Sequence, residues 1–427
     1  MNEASAFPAS QSSFHRQLST VDLPLMPERR YRVLLVCTHP VQYASPVFRY
    51  MAQDPRLDVK VAYCSLQGAE AGLDPEFGVE VKWDVPLVDG YSWILVPPKL
   101  VKPRLGSFFG LVNPGLWKLI RSGNFDAVFV FGHSYVSCWI AILATKLSRA
   151  ALIMSCDATT LRPQDGKTWK IPIKKALLPR IFGLAEVVCA ASSGTVSLLK
   201  SLAIRSEQIV LSPGIVDSDR FQGAIGPSRE VLRRNWDVPL EAPIALYCGK
   251  LQPWKRPQDL LAAFAQAQVP EAYLLFAGDG PLRAELEAIA RSLRIADRVR
   301  FLGFLNQSRM PGTYMAADLL VLPSEYETFG LVVTEAMVCG LPVVVSDQVG
   351  ARFDFIDGHE TGVVYPAGDV DALAKTLRDI LPDRERLRRM GEAGRARTQA
   401  WSPSEKVQSF LRAVAKAVDL RQEKAWA

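Results

Sequence analysis

No two cysteines of this chain form a C-x-x-C pair. The seven, Cys37, Cys64, Cys138, Cys156, Cys189, Cys248 and Cys339, stand singly and mostly within apolar runs. That pattern argues against a disulfide frame and a zinc site, and suits reduced core residues of a cytosolic protein. Histidine is scarce, with four in 427 residues, too dispersed to build a metal cluster on their own. No clean apolar run reaches eighteen residues. The nearest, "AVFVFGHSYVSCWIAILA", is broken by Gly-His-Ser and reads as strand, loop and helix. The first thirty residues are polar and Ser/Pro-rich, without the apolar centre of a signal peptide, and read as a flexible tail. Short repeats are absent. The expectation is a cytoplasmic protein, soluble or peripheral to the inner face of a membrane.

What is present suits two domains. A chain of 427 residues is long enough for two of ordinary size. The net charge of +6 is mildly basic and weakly favours an anionic ligand or surface. Apolar runs of strand length, "RVLLVC", "DVKVAYC", "DAVFVF", "AALIMSC", "AEVVCAA" and "QIVLSP", alternate with helical patterns in the first half. Ser45 and Pro46 read as an N-cap and first helical residue. A second set follows: "IALYCG", "AYLLFAG", "VRFLG", "DLLVLPS", "LPVVVS" and "TGVVYP". This rhythm predicts an α/β protein of two doubly wound, Rossmann-like domains facing across a cleft. The expected boundaries are a tail over 1–30, a first domain over 31–213, a linker over 214–228 and a second domain over 229–400. A C-terminal helix over 401–427 is expected to pack back on the first domain. Ligands of such sheets sit beyond the carboxyl ends of the strands.

The suspicious residues of the second half all follow strands. "LYCGKLQPWKRPQDLL" places Gly249, Lys250 and Lys255 just before a helix opened by Pro257, where the helix N-terminus already favours anions. By itself it reads as a solvated basic loop. "FAGDGPLRAELE" puts Gly278, Asp279 and Gly280 in a turn. "PSEYETFGLVVTEAMVCGLPVVVS" carries more information. Gly330 falls at a helix start and Gly340 at its end, so N–H groups from Phe329 to Val332 are available for a phosphate. Glu335, inside that helix, has the wrong charge for phosphate and suits paired hydroxyls such as those of a ribose. Glu327 is placed to accept from a second set of hydroxyls. The plain alternative is one capping and one surface carboxylate.

Those segments, with "VRFLGF" and "SDQVGARFDFIDGHETGVVYPAGDVDALA", resemble the retaining GT-B glycosyltransferases of glycosyltransferase family 4. The match spans the second half. The first half matches more loosely, through "CTHPVQYASPVFR", "FGHSYVS" and "SCDATTL". The resemblance implies a GT-B fold and transfer of a hexose from a nucleotide-diphosphate sugar, with retention and without a metal or other cofactor. It assigns the ribose to Glu335 and the donor hexose to Glu327. Lys250 and Lys255, with backbone N–H groups near Phe329, Gly330 and Leu331, would hold the diphosphate, and Phe304 would lie beside the base. His133 would line the sugar site, and Gln42 and Tyr43 occupy the place of a Gly-rich loop near donor and acceptor. Lys250 stands where the family often has Arg, a point charge in place of a bidentate fork.

The diphosphate leaves with negative charge, which lysines and a helix N-terminus offset where it develops. "DSD", Asp217 to Asp219, looks like a metal-binding triplet but lies in the expected linker, the reading favoured here. Candidate acceptors are a glycan, a lipid-linked sugar or a small molecule. Lys99, Lys102, Arg104, Lys118 and Arg121 alternate with Phe and Leu, and 162–180 repeats the mixture. Both stretches suit an anionic membrane surface or an ordinary basic loop. No nucleic-acid motif accompanies them. The rival readings are a non-catalytic nucleotide-sugar-binding module, and a sugar-nucleotide epimerase or phosphorylase on the same frame.

Overall fold

The computed structural model describes residues 29–74, 78–99, 105–223 and 226–426. Residues 1–28 of the expected N-terminal tail, Lys102 and Arg104 lie outside these. Among the described residues fifteen strands run in chain order: β1 Tyr31–Cys37, β2 Leu57–Tyr63, β3 Gly72–Asp74, β4 Val79–Val81, β5 Ser92–Leu95, β6 Ala127–Val130, β7 Ala151–Cys156, β8 Val187–Ala190, β9 Ile209–Leu211, β10 Ile244–Cys248, β11 Tyr273–Ala277, β12 Val299–Gly303, β13 Leu319–Leu322, β14 Val343–Ser346 and β15 Gly362–Tyr365. Two parallel sheets result, ordered β5-β2-β1-β6-β7-β8-β9 and β12-β11-β10-β13-β14-β15. The small antiparallel hairpin β3–β4 stands apart from both. The two-domain α/β architecture read from the alternation of strands and helices is the one observed.

Unbroken apolar strands are what two-sided burial demands. Leu34, Val128, Leu152 and Val188 face one layer of helices, with Leu116, Ile142 and Val196 packed over them. Val33, Val61, Phe129 and Ile153 face the other. That second face is covered by the helix Ser45–Gln53 and by Val407, Phe410, Leu411 and Val414 of the C-terminal helix Pro403–Trp426. The chain thus ends on its first sheet. Crossing between the domains happens within two residues: Ile215 packs into the first core and Val216 into the second.

One local expectation changes. Ser45 is not the cap of its helix; Ala44 takes that position. The Ser45 hydroxyl donates to the carbonyls of Leu87 at 2.6 Å and Val41 at 3.1 Å, because a buried hydroxyl bonds whatever acceptor lies nearest.

In each sheet the strand order reverses once, between β1 and β6 and between β10 and β13. Crossover loops diverge at such points and leave a crevice at the strands' carboxyl ends. The loops after β1, β6, β10 and β13 carry Gln42 and Tyr43, His133, Lys250 and Lys255, and Glu327, in that order. The topology alone therefore gathers residues separated by nearly 300 positions.

Candidate active site

On the C-terminal side, the loop after β10 begins with a close approach of two main chains. A Cβ added at Gly278 would stand 1.9 Å from the Gly249 carbonyl oxygen, so glycine is required there. The chain then makes a short turn, Pro253–Lys255, and enters the helix Pro257–Ala267. Arg256, with φ of 50°, pairs with Asp259 at 2.5 Å and with Glu325 at 3.0 Å. The Glu325 N–H also donates to the Trp254 carbonyl at 2.8 Å. These bonds staple the loop after β10 to the loop after β13. As a consequence the Lys255 ammonium meets the Glu327 carboxylate in a largely buried ion pair.

The segment after Glu327 is held from the other side. Gly350 N–H donates to the Glu327 carbonyl at 3.1 Å and Ala351 N–H to the Phe329 carbonyl at 2.7 Å. Gly330, with φ of 93°, turns the chain into the helix Leu331–Val338, whose start has no side-chain cap. First-turn N–H groups of a helix lack intrahelical partners and favour an anion. The same helix ends in a Schellman turn: Leu341 N–H donates to the Ala336 carbonyl and Gly340 N–H to that of Met337, both at 2.9 Å. An eight-residue helix is thereby fixed at both ends, with Glu335 on the cleft side.

Glu335 is 9% exposed. Its Oε2 accepts a 2.7 Å hydrogen bond from the hydroxyl of Tyr314, a fully buried side chain. Burial pushes the Glu335 carboxyl above its ordinary value; the Tyr314 bond and the Arg220 charge oppose this. A carboxylate kept here against its desolvation cost is poised to accept from ligand hydroxyls.

The N-terminal side contributes Gln42, Tyr43 and His133 to the same cavity. His133 is set against the edge of Phe182, with ring centroids 5.7 Å apart. Its buried Nδ1 has no hydrogen-bond partner. Burial, and then the charge of Lys174, lower its pKa, so the ring is neutral at pH 7. Tyr43 remains half exposed at the rim.

One cavity of about 930 Å³ lies between the domains. It brings together Gln42, Tyr43, His133, Gly249, Lys255, Phe304, Glu327, Phe329, Gly330, Leu331 and Glu335. Lys250 stands apart from this wall. Its carbonyl accepts from Tyr247 and its ammonium lies 3.7 Å from Asp74 of β3, in the other domain. Of "DSD", Asp217 caps the helix Ser218–Gln222 and Asp219 accepts from Tyr50 at 2.8 Å. Trp83, Asp157, Arg220 and Tyr326 also line the cavity. Local pattern does not single them out, although "SCDATTL" contains Asp157 just past β7 and Tyr326 lies inside the segment that holds Glu327 and Glu335.

Known proteins resemble this chain in sequence and in fold. Residues 228–397 match the family model described as glycosyl transferases group 1. A GDP-mannose-dependent alpha-(1-6)-phosphatidylinositol monomannoside mannosyltransferase of Mycolicibacterium smegmatis is 32% identical over 317 residues, covering 72% of this chain and 79% of that protein. The N-acetyl-alpha-D-glucosaminyl L-malate synthase of Bacillus anthracis is 34% identical over 179 residues, 42% of this chain and 46% of that one. Among solved structures, Anabaena HepE in complex with UDP and glucose superimposes with a TM-score of 0.69 at 19% identity, covering 90% of this chain and all of the other. Sucrose-phosphate synthase of Thermosynechococcus elongatus gives 0.65 at 23% identity over 89% and 97%. The chain belongs to the group 1 glycosyltransferases and has their GT-B fold. It is a transferase that moves a glycosyl group from a nucleotide sugar.

Proposed function

We propose that this enzyme transfers a hexose from a nucleotide-diphosphate sugar with retention of configuration, and that protein groups replace a metal at the diphosphate. The observation that carries the reading is the joint placement of Lys255, Glu327, the start of the helix Leu331–Val338 and Glu335 on one wall of a single cleft. The base lies by Phe304, the ribose on Glu335, the diphosphate between Lys255 and the N–H groups of Phe329 to Val332, and the hexose by Glu327. Lys250 acts on the diphosphate from a greater distance, its charge shared with Asp74. The lysine and helix N-terminus stabilise the leaving diphosphate as its charge develops. His133, neutral, presents a hydrogen-bonding ring nitrogen to the sugar, and Gln42 and Tyr43 border the acceptor. Activity should survive EDTA, and an NMR coupling constant should show the donor's anomeric configuration in the product. Loss on chelation with recovery in Mg²⁺ or Mn²⁺, or an inverted product, would overturn the mechanism.

A second reading concerns where the acceptor comes from. No described helix is long and apolar enough to cross a membrane. Beside the cleft, however, Trp169, Ile173 and Leu177 are 62%, 47% and 50% exposed, interleaved with Lys170, Lys175 and Arg180 on the helix Lys170–Phe182. Phe109, Trp117, Leu143 and Leu147 are exposed on other elements of that domain. An apolar face framed by cations suits the surface of an anionic bilayer and a lipid-linked acceptor. Part of the stretch 99–121, including Lys102 and Arg104, lies outside the described residues. Co-sedimentation with anionic but not zwitterionic vesicles, abolished by Trp169→Ser with Ile173→Ser, is expected; equal sedimentation with both lipids would count against it.

A further inference from the structure

The hairpin β3–β4 belongs to the N-terminal half of the chain but pairs with neither large sheet. Its two ends meet the C-terminal domain. Asp74 lies 3.7 Å from Lys250. Just past β4, residues 82–84 are clasped by the loop after β12. Asn306 Nδ2 donates to the Lys82 carbonyl at 2.5 Å, and the Asp84 N–H donates to Asn306 Oδ1 at 3.2 Å. The Ser308 N–H donates to both Asp84 carboxylate oxygens at 3.2 Å, and the Ser308 hydroxyl donates to the same carboxylate. Between these bonds Trp83 sets its ring edge-on to Phe304, with centroids 5.7 Å apart and planes at 69°. Both rings line the cleft.

This clasp is more than a domain contact. Five polar bonds within three residues fix the backbone on either side of one large aromatic side chain. They place its indole on the single aromatic residue of the loop 304–308, in the wall of the ligand cavity. A pair of rings contributed by two domains in the wall of a cavity suits a flat heteroaromatic ligand, which aromatic side chains meet by face or edge.

We propose that Trp83 is a specificity-determining residue of the nucleotide site, carried to the base from the opposite domain by the strap 82–84. Base binding is then coupled to one of the contacts that join the two domains, because the groups that hold Trp83 in place also bridge the domains. This rests on the donor reading above, which puts the base beside Phe304, and it adds an N-terminal contribution to a site otherwise built by the C-terminal domain.

The test is calorimetry on the full chain with UDP, GDP, ADP and inorganic pyrophosphate. For the nucleotide that binds wild type best, Trp83→Ala should weaken binding roughly tenfold to a hundredfold, the range of losing one base–aromatic stack. Trp83→Phe should retain most of the affinity. Pyrophosphate, which has no base, should bind Trp83→Ala as it binds wild type, and this also reports a folded variant. Asp84→Ala, which cuts the clasp without touching the ligand, should weaken the nucleotide several-fold and narrow the preference among the three bases. Unchanged nucleotide binding in Trp83→Ala overturns the proposal, as does an equal loss for pyrophosphate. Glu335→Gln separates the two readings: if it weakens the nucleotide while Trp83→Ala does not, the strap inference fails alone. If neither substitution matters, the donor reading fails with it.

Discussion

On the C-terminal side of the cleft, main chain does much of the work. Glycines at positive φ at 249, 278 and 330 bring loops within contact and aim a helix start at the ligand space. Charged side chains there are already paired, Lys255 with Glu327 and Arg256 with Asp259 and Glu325. On the N-terminal side, loops place isolated side chains, a half-exposed Tyr43 and a His133 whose buried Nδ1 lacks a partner. Under the proposed function, the difference follows from what each wall would meet. A diphosphate and a ribose have a fixed shape and charge, so they can be met by fixed backbone and preformed carboxylates at no reorganisation cost. An acceptor site needs shape, which comes from side chains on loops.

If the C-terminal wall supplies the charge chemistry, its lysine should be the costliest to lose. Lys255→Met should lower kcat by roughly 10²–10³, the usual effect of removing one group that stabilises developing negative charge. Steady-state kinetics with saturating donor would show it. A loss confined to KM would reassign Lys255 to ground-state binding.

The next effect probes the seam where the walls meet. Asp354 of the C-terminal domain accepts from the N–H and hydroxyl of Ser193, the first residue of the helix Ser193–Ser201 in the other domain. Burial raises its pKa from 3.8 to about 6. Protonation of a group with a raised folded pKa favours the folded state, so its contribution is full below pH 4 and lost as pH rises through 6. Asp354→Asn removes that titration. Relative to wild type, the variant should gain stability between pH 4 and 6.5, by about 3 kcal/mol at most. Thermal midpoints of both proteins across that window would reveal it; a pH-independent difference would sink it.

Within the C-terminal wall, the two glutamates should separate. Glu335→Gln should raise the donor KM and weaken the nucleoside diphosphate roughly tenfold to a hundredfold, the cost of a charge-assisted hydrogen bond. Glu327→Gln should mainly lower kcat and leave nucleoside diphosphate binding nearly intact. Calorimetry showing equal weakening in both variants would end that division.

The smallest effect tests how the ribose carboxylate is held. Tyr314→Phe removes the hydrogen bond that counters burial at Glu335. The carboxyl should then protonate at higher pH. Nucleoside diphosphate affinity should fall several-fold at neutral pH, about the worth of one buried hydrogen bond. Its decline on acidification should begin at a higher pH than in wild type. An unshifted pH profile would show that Tyr314 only fills space.

Local pattern was enough to read twelve of the fifteen described strands, the two domains and the E-x7-E segment, because a strand buried on both faces must be apolar along its length and a helix start needs its turn residue at a set distance; the short, more exposed β3, β4 and β5 carried no such run. Gly330 and Gly340 bracket Glu335 within one short stretch, so that much of the site is written contiguously. Lys255 and Glu327 were each visible, but their ion pair was not. It depends on Arg256 and Trp254 stapling two loops 70 positions apart, which no periodicity reports. Trp83, Arg220 and Tyr314 were illegible for the same reason. An aromatic ring or a lone cation in sequence reads as core or surface until a partner from another element faces it. Lys250 shows the converse: its type and position suggested the cleft wall, and a carboxylate from the other domain draws its charge aside. The linear order of residues determined which elements form and what chemistry they carry. The reversal of strand order in each sheet, and the clasp between 82–84 and 304–308, decided which of those residues share a cleft, because such contacts exist only once distant segments have been packed side by side.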